Sequence, residues 1–129
     1  MAAGEPFSSD QRAEIDRAIR GAETTCRFEF SVYVGAVTGA VHPFAQRLHA
    51  ALASPDRSVL ILVDPAARAF EVITGSVVRR SLDDQAVRLA AAGMESCFAE
   101  GDLVGGIKRG VSQLADAARR PATLHEAND

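Results

Sequence analysis

Residues 58–63 read Ser-Val-Leu-Ile-Leu-Val, an apolar run with no polar interruption after Ser58. A strand with one wet face alternates apolar and polar residues, whereas a continuous run is the pattern of a strand covered on both faces. After the turn Asp64-Pro65-Ala66-Ala67-Arg68 comes a second run, Ala-Phe-Glu-Val-Ile-Thr-Gly. A link this short favours an antiparallel hairpin, because a parallel crossover needs about a dozen residues. The hairpin therefore needs covering layers, and the rest of the chain must supply them.

The flanking segments do so. Ile15, Ala18, Ile19 and Ala22 recur at the spacing of one helical face, and Ser8 with Gln11 matches a capping box. Phe28, Phe30, Val32 and Val34 alternate with Glu29, Ser31 and Tyr33, which predicts a strand with one buried Phe/Val face. Phe44, Leu48 and Leu52 lie four apart with Pro43 in the first turn of a second helix. Beyond Gly75 the pattern predicts a helix to about Phe98, with Ser76 as its N-cap. Gly101 suits the end of that helix, and Asp102 suits the N-cap of a last one from about Leu103 to Arg119. The order α-β-α-β-β-α-α predicts an α/β fold: a three-layer α/β/α sandwich around a small mixed sheet of about three to four strands.

A chain of 129 residues fits one domain. Its expected limits are a flexible arm at 1–7, a single domain at 8–120 and a polar tail at 121–129. A formal charge of −3 and a pI near 5.6 give no field that would draw the chain to nucleic acid. The first residues lack the basic and apolar regions of a secretion signal, and no apolar run approaches the ~18 residues of a membrane span. A soluble, cytoplasmic protein is expected, with a membrane-associated partner still open. Cys26 and Cys97 are expected to be reduced, structural thiols.

Several chemical motifs fail on inspection. Gly101 and Gly106 have the spacing of a phosphate-binding loop, but Ile107 precedes Lys108, no Ser or Thr follows it, and no strand leads in. Close packing around Gly105, Gly106 and Gly110 accounts better for these glycines. His42, His49 and His125 are dispersed and expected as surface or capping residues, and neither cysteine has a neighbouring histidine to activate it. Asp56, Asp64, Asp83 and Asp84 fall at element ends, where a sheet-edge site draws its ligands. Each also has a structural use: Asp64 before Pro65 begins a turn, and Asp83 or Asp84 neutralises Arg79 or Arg80 four positions back.

The run Cys97-Phe98 through Ala117, with Phe98, Gly101, Asp102 and Gly106 in the pattern F-x-x-G-D-x-x-x-G, resembles the ending of the TPM domain family, most closely its short actinobacterial branch. The resemblance extends over "SSDQRAEIDRAI", "FEFSVYVG", "FAQRLHAAL" and "SVLILVDPAARAFEVITG". It implies a three-layer sandwich, an acid-phosphatase-like activity in some members, and acidic loops that bind calcium or another divalent metal. Two family motifs are altered here. Lys-Asp-Asn-Gly corresponds to Pro55-Asp56-Arg57-Ser58, and Gly-Tyr-Gly-x-Glu to Gly75-Ser76-Val77-Val78-Arg79, while Asp84 matches an acid a little further on. An arginine in place of a ligand carboxylate repels a cation, so a degenerate metal site and no resident cofactor are expected.

Two readings of the arginines follow. Arg57 and Arg79, beside Gly75 and a helix starting near Ser76, would favour an anion such as phosphate; alternatively they pair with Asp56 and Asp84. The expected function is a non-catalytic binding or accessory module with a protein partner. The alternatives are a phosphatase-like hydrolase with a metal on Asp56, Asp64 and Asp84, or an anion-binding module using Arg57 and Arg79.

Overall fold

The computed structural model describes residues 7–119. Of the expected arm only Phe7 falls among them, and it packs partly buried against the core; the expected tail at 121–129 lies outside them. Four helices and three strands follow in the predicted order: α1 Ser9–Cys26, β1 Glu29–Val34, α2 Val41–Ala50, β2 Ser58–Asp64, β3 Ala69–Thr74, α3 Asp84–Ala99 and α4 Leu103–Ala118. Short 3-10 turns occupy Pro55–Arg57 and Val78–Arg80. Among the described residues no helix is long and apolar enough to cross a membrane.

The sheet is mixed, in the order β1-β2-β3, with β2 parallel to β1 and antiparallel to β3. All seven residues of β2 are buried, as its unbroken apolar run requires. Val59, Ile61 and Val63 point with Phe28 and Phe30 into a large core against α1, α3 and α4. Leu60 and Leu62 point the other way, into a smaller core with Ala45, Phe44 and Tyr33 under α2. The molecule is thus a three-layer sandwich with three helices on one face and one on the other.

Local chemistry sets most boundaries. Ser8 and Gln11 form the capping box reciprocally, at 3.1 and 2.9 Å. At the α3–α4 corner Gly101 takes φ +84° and donates to the Phe98 carbonyl at 3.0 Å, while Asp102 donates to the Cys97 carbonyl at 2.9 Å. This double bond pattern closes a helix around a left-handed glycine. Asp102 then caps α4 by accepting from the Gly105 amide at 2.9 Å.

The start of α3 differs from the sequence expectation. The helix begins at Asp84 rather than Ser76, and its N-cap is Asp83, which accepts from the Ala86 amide at 2.8 Å. Residues 76–82 are instead a turn followed by the 3-10 segment. Val78 and Leu82, both 0 % exposed, plug the large core, and satisfying them holds this stretch against the sheet end. Helical periodicity cannot separate such a tethered apolar turn from the first turn of a helix.

Candidate functional site

The parallel register pairs Glu29 with Ser58, so the residues just before β1 and just before β2 emerge side by side at one end of the sheet. Those residues include Arg27 and Arg57. Arg27 ends α1 in a left-handed conformation, φ 69°, and its amide donates to the Glu23 carbonyl at 2.9 Å. The Glu23 carboxylate accepts from the Phe30 amide at 3.0 Å, which fixes the corner between α1 and β1. Arg57 lays its guanidinium over the Phe28 ring, 5.1 Å from the centroid, and donates to the Arg27 carbonyl at 3.0 Å.

The 3-10 turn that carries Arg57 is locked to the end of β3. Gly75 donates to the Ser58 carbonyl at 3.0 Å and Val77 to the Asp56 carbonyl at 2.9 Å. Gly75 is buried, and a Cβ there would meet the Pro55 carbonyl oxygen at 2.1 Å. The same Ser58 carbonyl accepts from Nε2 of His49 at 3.0 Å. His49 is only 9 % exposed, so it is a buried tether between α2 and β2 and not the expected surface histidine. Because a carbonyl only accepts, this contact places the ring proton on Nε2.

Arg57, Arg80, Arg27 and Arg119 line a recess of about 370 Å³ that opens at this sheet end. Among the described residues Thr25, Cys26, Phe28, Val77, Ser81 and Ala118 make up the rest of its wall, and no carboxylate lines it. Among the described residues none of the four arginines is ion-paired. The expected pairing of Arg57 and Arg79 with Asp56 and Asp84, and of Arg79 or Arg80 with Asp83 or Asp84, is therefore not formed among the described residues. Arg79 is absent from the recess: its guanidinium turns back and donates to the Thr74 carbonyl. Ser76 is exposed beside it and caps nothing. The helix dipole expected at Ser76 is likewise absent, since α3 starts at Asp84.

Arg27, Arg80 and Arg119 were not singled out by their sequence context. Arg27 and Arg57 do share one signal: each directly precedes a strand-forming run. That signal becomes useful only when the two strands are known to be parallel neighbours.

The three aspartates assigned to a metal do not come together. Asp56 lies before β2 and Asp64 at its far end; seven strand residues at about 3.3 Å each put roughly 20 Å between them. Asp64 is buried, with one carboxylate oxygen accepting from Val37 at 3.1 Å and the other from Ala67 at 3.2 Å. It anchors the hairpin turn, as Asp before Pro is suited to do. Asp84 is exposed in the first turn of α3. Among the described residues no group of three or more His, Cys, Asp or Glu side chains is placed to hold a metal. The donor set implied for calcium thus does not fit one, since hard cations need several oxygens at one point.

Two further side-chain groups are accounted for structurally. Cys26 is buried and unpaired, and burial pushes its thiol above the ordinary value despite backbone hydrogen bonds that lower it, so it is a poor nucleophile. Gly106 and Gly110 face α3: a Cβ on them would meet Phe98 at 2.5 Å and Met94 at 2.2 Å. Close helix packing is what these glycines permit.

Comparison with known proteins agrees with the architecture. The fold is similar to the BA42 protein of the psychrophilic bacterium Bizionia argentinensis, with a TM-score of 0.80 at 20% identity, covering 91% of this chain and 84% of that one. It is also similar to the N-terminal domain of the cg2496 protein of Corynebacterium glutamicum, with a TM-score of 0.74 at 14% identity, covering 88% and 74%. In sequence the chain is 29% identical over 110 residues to uncharacterized proteins of two Mycobacterium tuberculosis strains. The match covers 85% of this chain and 66% of those relatives, so the chain spans just under two thirds of their length. The model of the family described as a domain of unknown function, DUF5130, matches residues 1–115, and the chain belongs to that family.

Proposed function

We propose that this chain is a non-catalytic binding and accessory module of the TPM kind, which works with a protein partner and holds an anionic group in the arginine-lined recess. One observation carries the reading: four arginines line one recess, and among the described residues no carboxylate lines it. In a chain with a formal charge of −3, composition does not account for such a concentration of positive charge. Guanidinium groups are rigid planar donors suited to phosphate and carboxylate oxygens. Arg80 takes the part that the sequence pattern assigned to Arg79. The TPM assignment is supported by the motif through Phe98, Gly101, Asp102 and Gly106 and by the sandwich architecture. A non-catalytic role is supported by the scattered aspartates and by the high thiol pKa of Cys26.

Amide chemical shifts followed during a titration with inorganic phosphate test the proposal. The expected result is saturable movement of residues 25–28, 56–58 and 77–82, lost in Arg57→Ala/Arg80→Ala protein. No movement at millimolar phosphate, or movement spread evenly over the surface, would sink it. The metal-dependent hydrolase alternative has its own check, a thermal melt in millimolar calcium against chelator. A ligand at ~100 times its dissociation constant adds about 2.7 kcal/mol. No calcium shift is expected, and a rise abolished by Asp56→Ala would restore that alternative.

A further inference from the structure

Resting on the anion reading, we infer that the recess is built for a ligand carrying linked phosphate groups, a diphosphate or triphosphate, in preference to a single phosphate. The first argument is charge. Four arginines with no carboxylate among the described lining residues carry a formal charge of +4. A single phosphate group carries about −1.5 to −2 near neutral pH, which leaves about half of that charge unmatched. Two or three linked phosphates come close to balancing it.

Placement is the second argument. The four arginines come from four separate parts of the fold: Arg27 ends α1, Arg57 precedes β2, Arg80 lies in the 3-10 turn after β3, and Arg119 ends α4. No single element or connection supplies more than one of the four charges. A guanidinium binds oxygens through a planar fork, and four forks, each taking a pair of oxygens, suit several anionic centres better than one tetrahedron. The volume of about 370 Å³ falls in the range of metabolite sites, about 300–1,000 Å³.

Preorganisation is the third. Arg57 is held by Phe28 and by the Arg27 carbonyl, and its turn is bound to the Gly75–Val77 segment by backbone bonds. Ser81, also on the wall, has a hydroxyl with no partner among the described residues, which leaves it available as a donor. An extended nucleic-acid strand does not match this geometry, because such ligands require a positive stripe along a surface and not one recess in an acidic chain.

Isothermal titration calorimetry on the full chain, at matched ionic strength, decides the matter with orthophosphate, pyrophosphate and ADP as probes. Pyrophosphate is expected to bind about tenfold or more tightly than orthophosphate. Arg57→Ala and Arg80→Ala should each remove most of that difference, while Arg79→Ala keeps it. ADP binding more tightly than pyrophosphate would identify a nucleotide as the source of the group; equal binding would identify the free diphosphate. Equal affinity for orthophosphate and pyrophosphate overturns this inference but leaves the anion site standing. Binding of none of the three overturns both. Circular dichroism of each variant separates lost binding from lost folding.

Discussion

A Cβ placed on Gly75 would sit 2.1 Å from the carbonyl oxygen of Pro55, so these two residues meet backbone to backbone where β3 leaves the sheet. The contact joins the turn that carries Arg57 to the segment that carries Arg80, and neither backbone has a flexible side chain to yield. Gly75→Ala is expected to cost about 2 to 3 kcal/mol, the range of overpacking in a tight site. Gly21, inside α1 with open space around its Cβ position, is the contrasting case. Gly21→Ala should raise stability by about 0.5 to 1 kcal/mol through helix propensity alone. Urea unfolding followed by circular dichroism measures both, and a Gly75→Ala protein as stable as its parent would show that the turn and the strand end separate freely.

The position of the α3 cap gives a second pair of outcomes. Asp83 accepts from the Ala86 amide, whereas Ser76 is exposed and caps no helix. Asp83→Ala should therefore cost about 1 kcal/mol, and Ser76→Ala should stay within about 0.5 kcal/mol of the parent. The reverse ranking of their thermal midpoints would move the helix start back to Ser76.

Gly110 and Met94 define a third test, on the packing of α4 against α3. A Cβ on Gly110 would lie 2.2 Å from the Met94 sulfur, the middle of a flexible side chain that is 0 % exposed. Gly110→Ala is expected to destabilise by about 1 to 2 kcal/mol, and Met94→Ala by about 2 to 5 kcal/mol. In the double variant the added methyl enters the space that methionine vacates, so the total should fall short of the sum by on the order of 1 kcal/mol. Strict additivity would show that the two side chains do not share that space.

Cys26 predicts an alkaline effect. Burial raises its thiol above the ordinary value of 9.0, so the folded chain holds this proton more tightly than the unfolded one. The corresponding stability is fully present below pH 9.0 and is lost as pH climbs through the raised folded value. Denaturant midpoints measured from neutral to alkaline pH should fall more steeply for the parent than for Cys26→Ala. Equal slopes would show that the thiol titrates alike in both states.

Periodicity and capping chemistry were enough to place most of the elements. The unbroken Val59–Val63 run, the Phe28–Val34 alternation and the Ser8, Gly101 and Asp102 caps are local signals, and each appears in the structure in its expected role. The start of α3 was not legible, because Val77 and Val78 satisfy a helical pattern and a tethered turn equally well. The burial of His49 is not legible for a related reason. Whether a helix histidine meets water or the Ser58 carbonyl depends on what α2 packs against, and that lies nine positions away in the chain.

For the candidate site, sequence alone determined that Arg57 and Gly75 stand at strand ends. Only the tertiary structure decided which charges share a recess. The parallel register of β1 and β2 brings Arg27 to Arg57, one step of the 3-10 turn exchanges Arg79 for Arg80, and the end of α4 adds Arg119. The same β2 strand holds Asp56 and Asp64 roughly 20 Å apart. Local propensity depends on neighbours a few positions away. The field at a site sums over charges that only chain packing brings together, and it is therefore decided last.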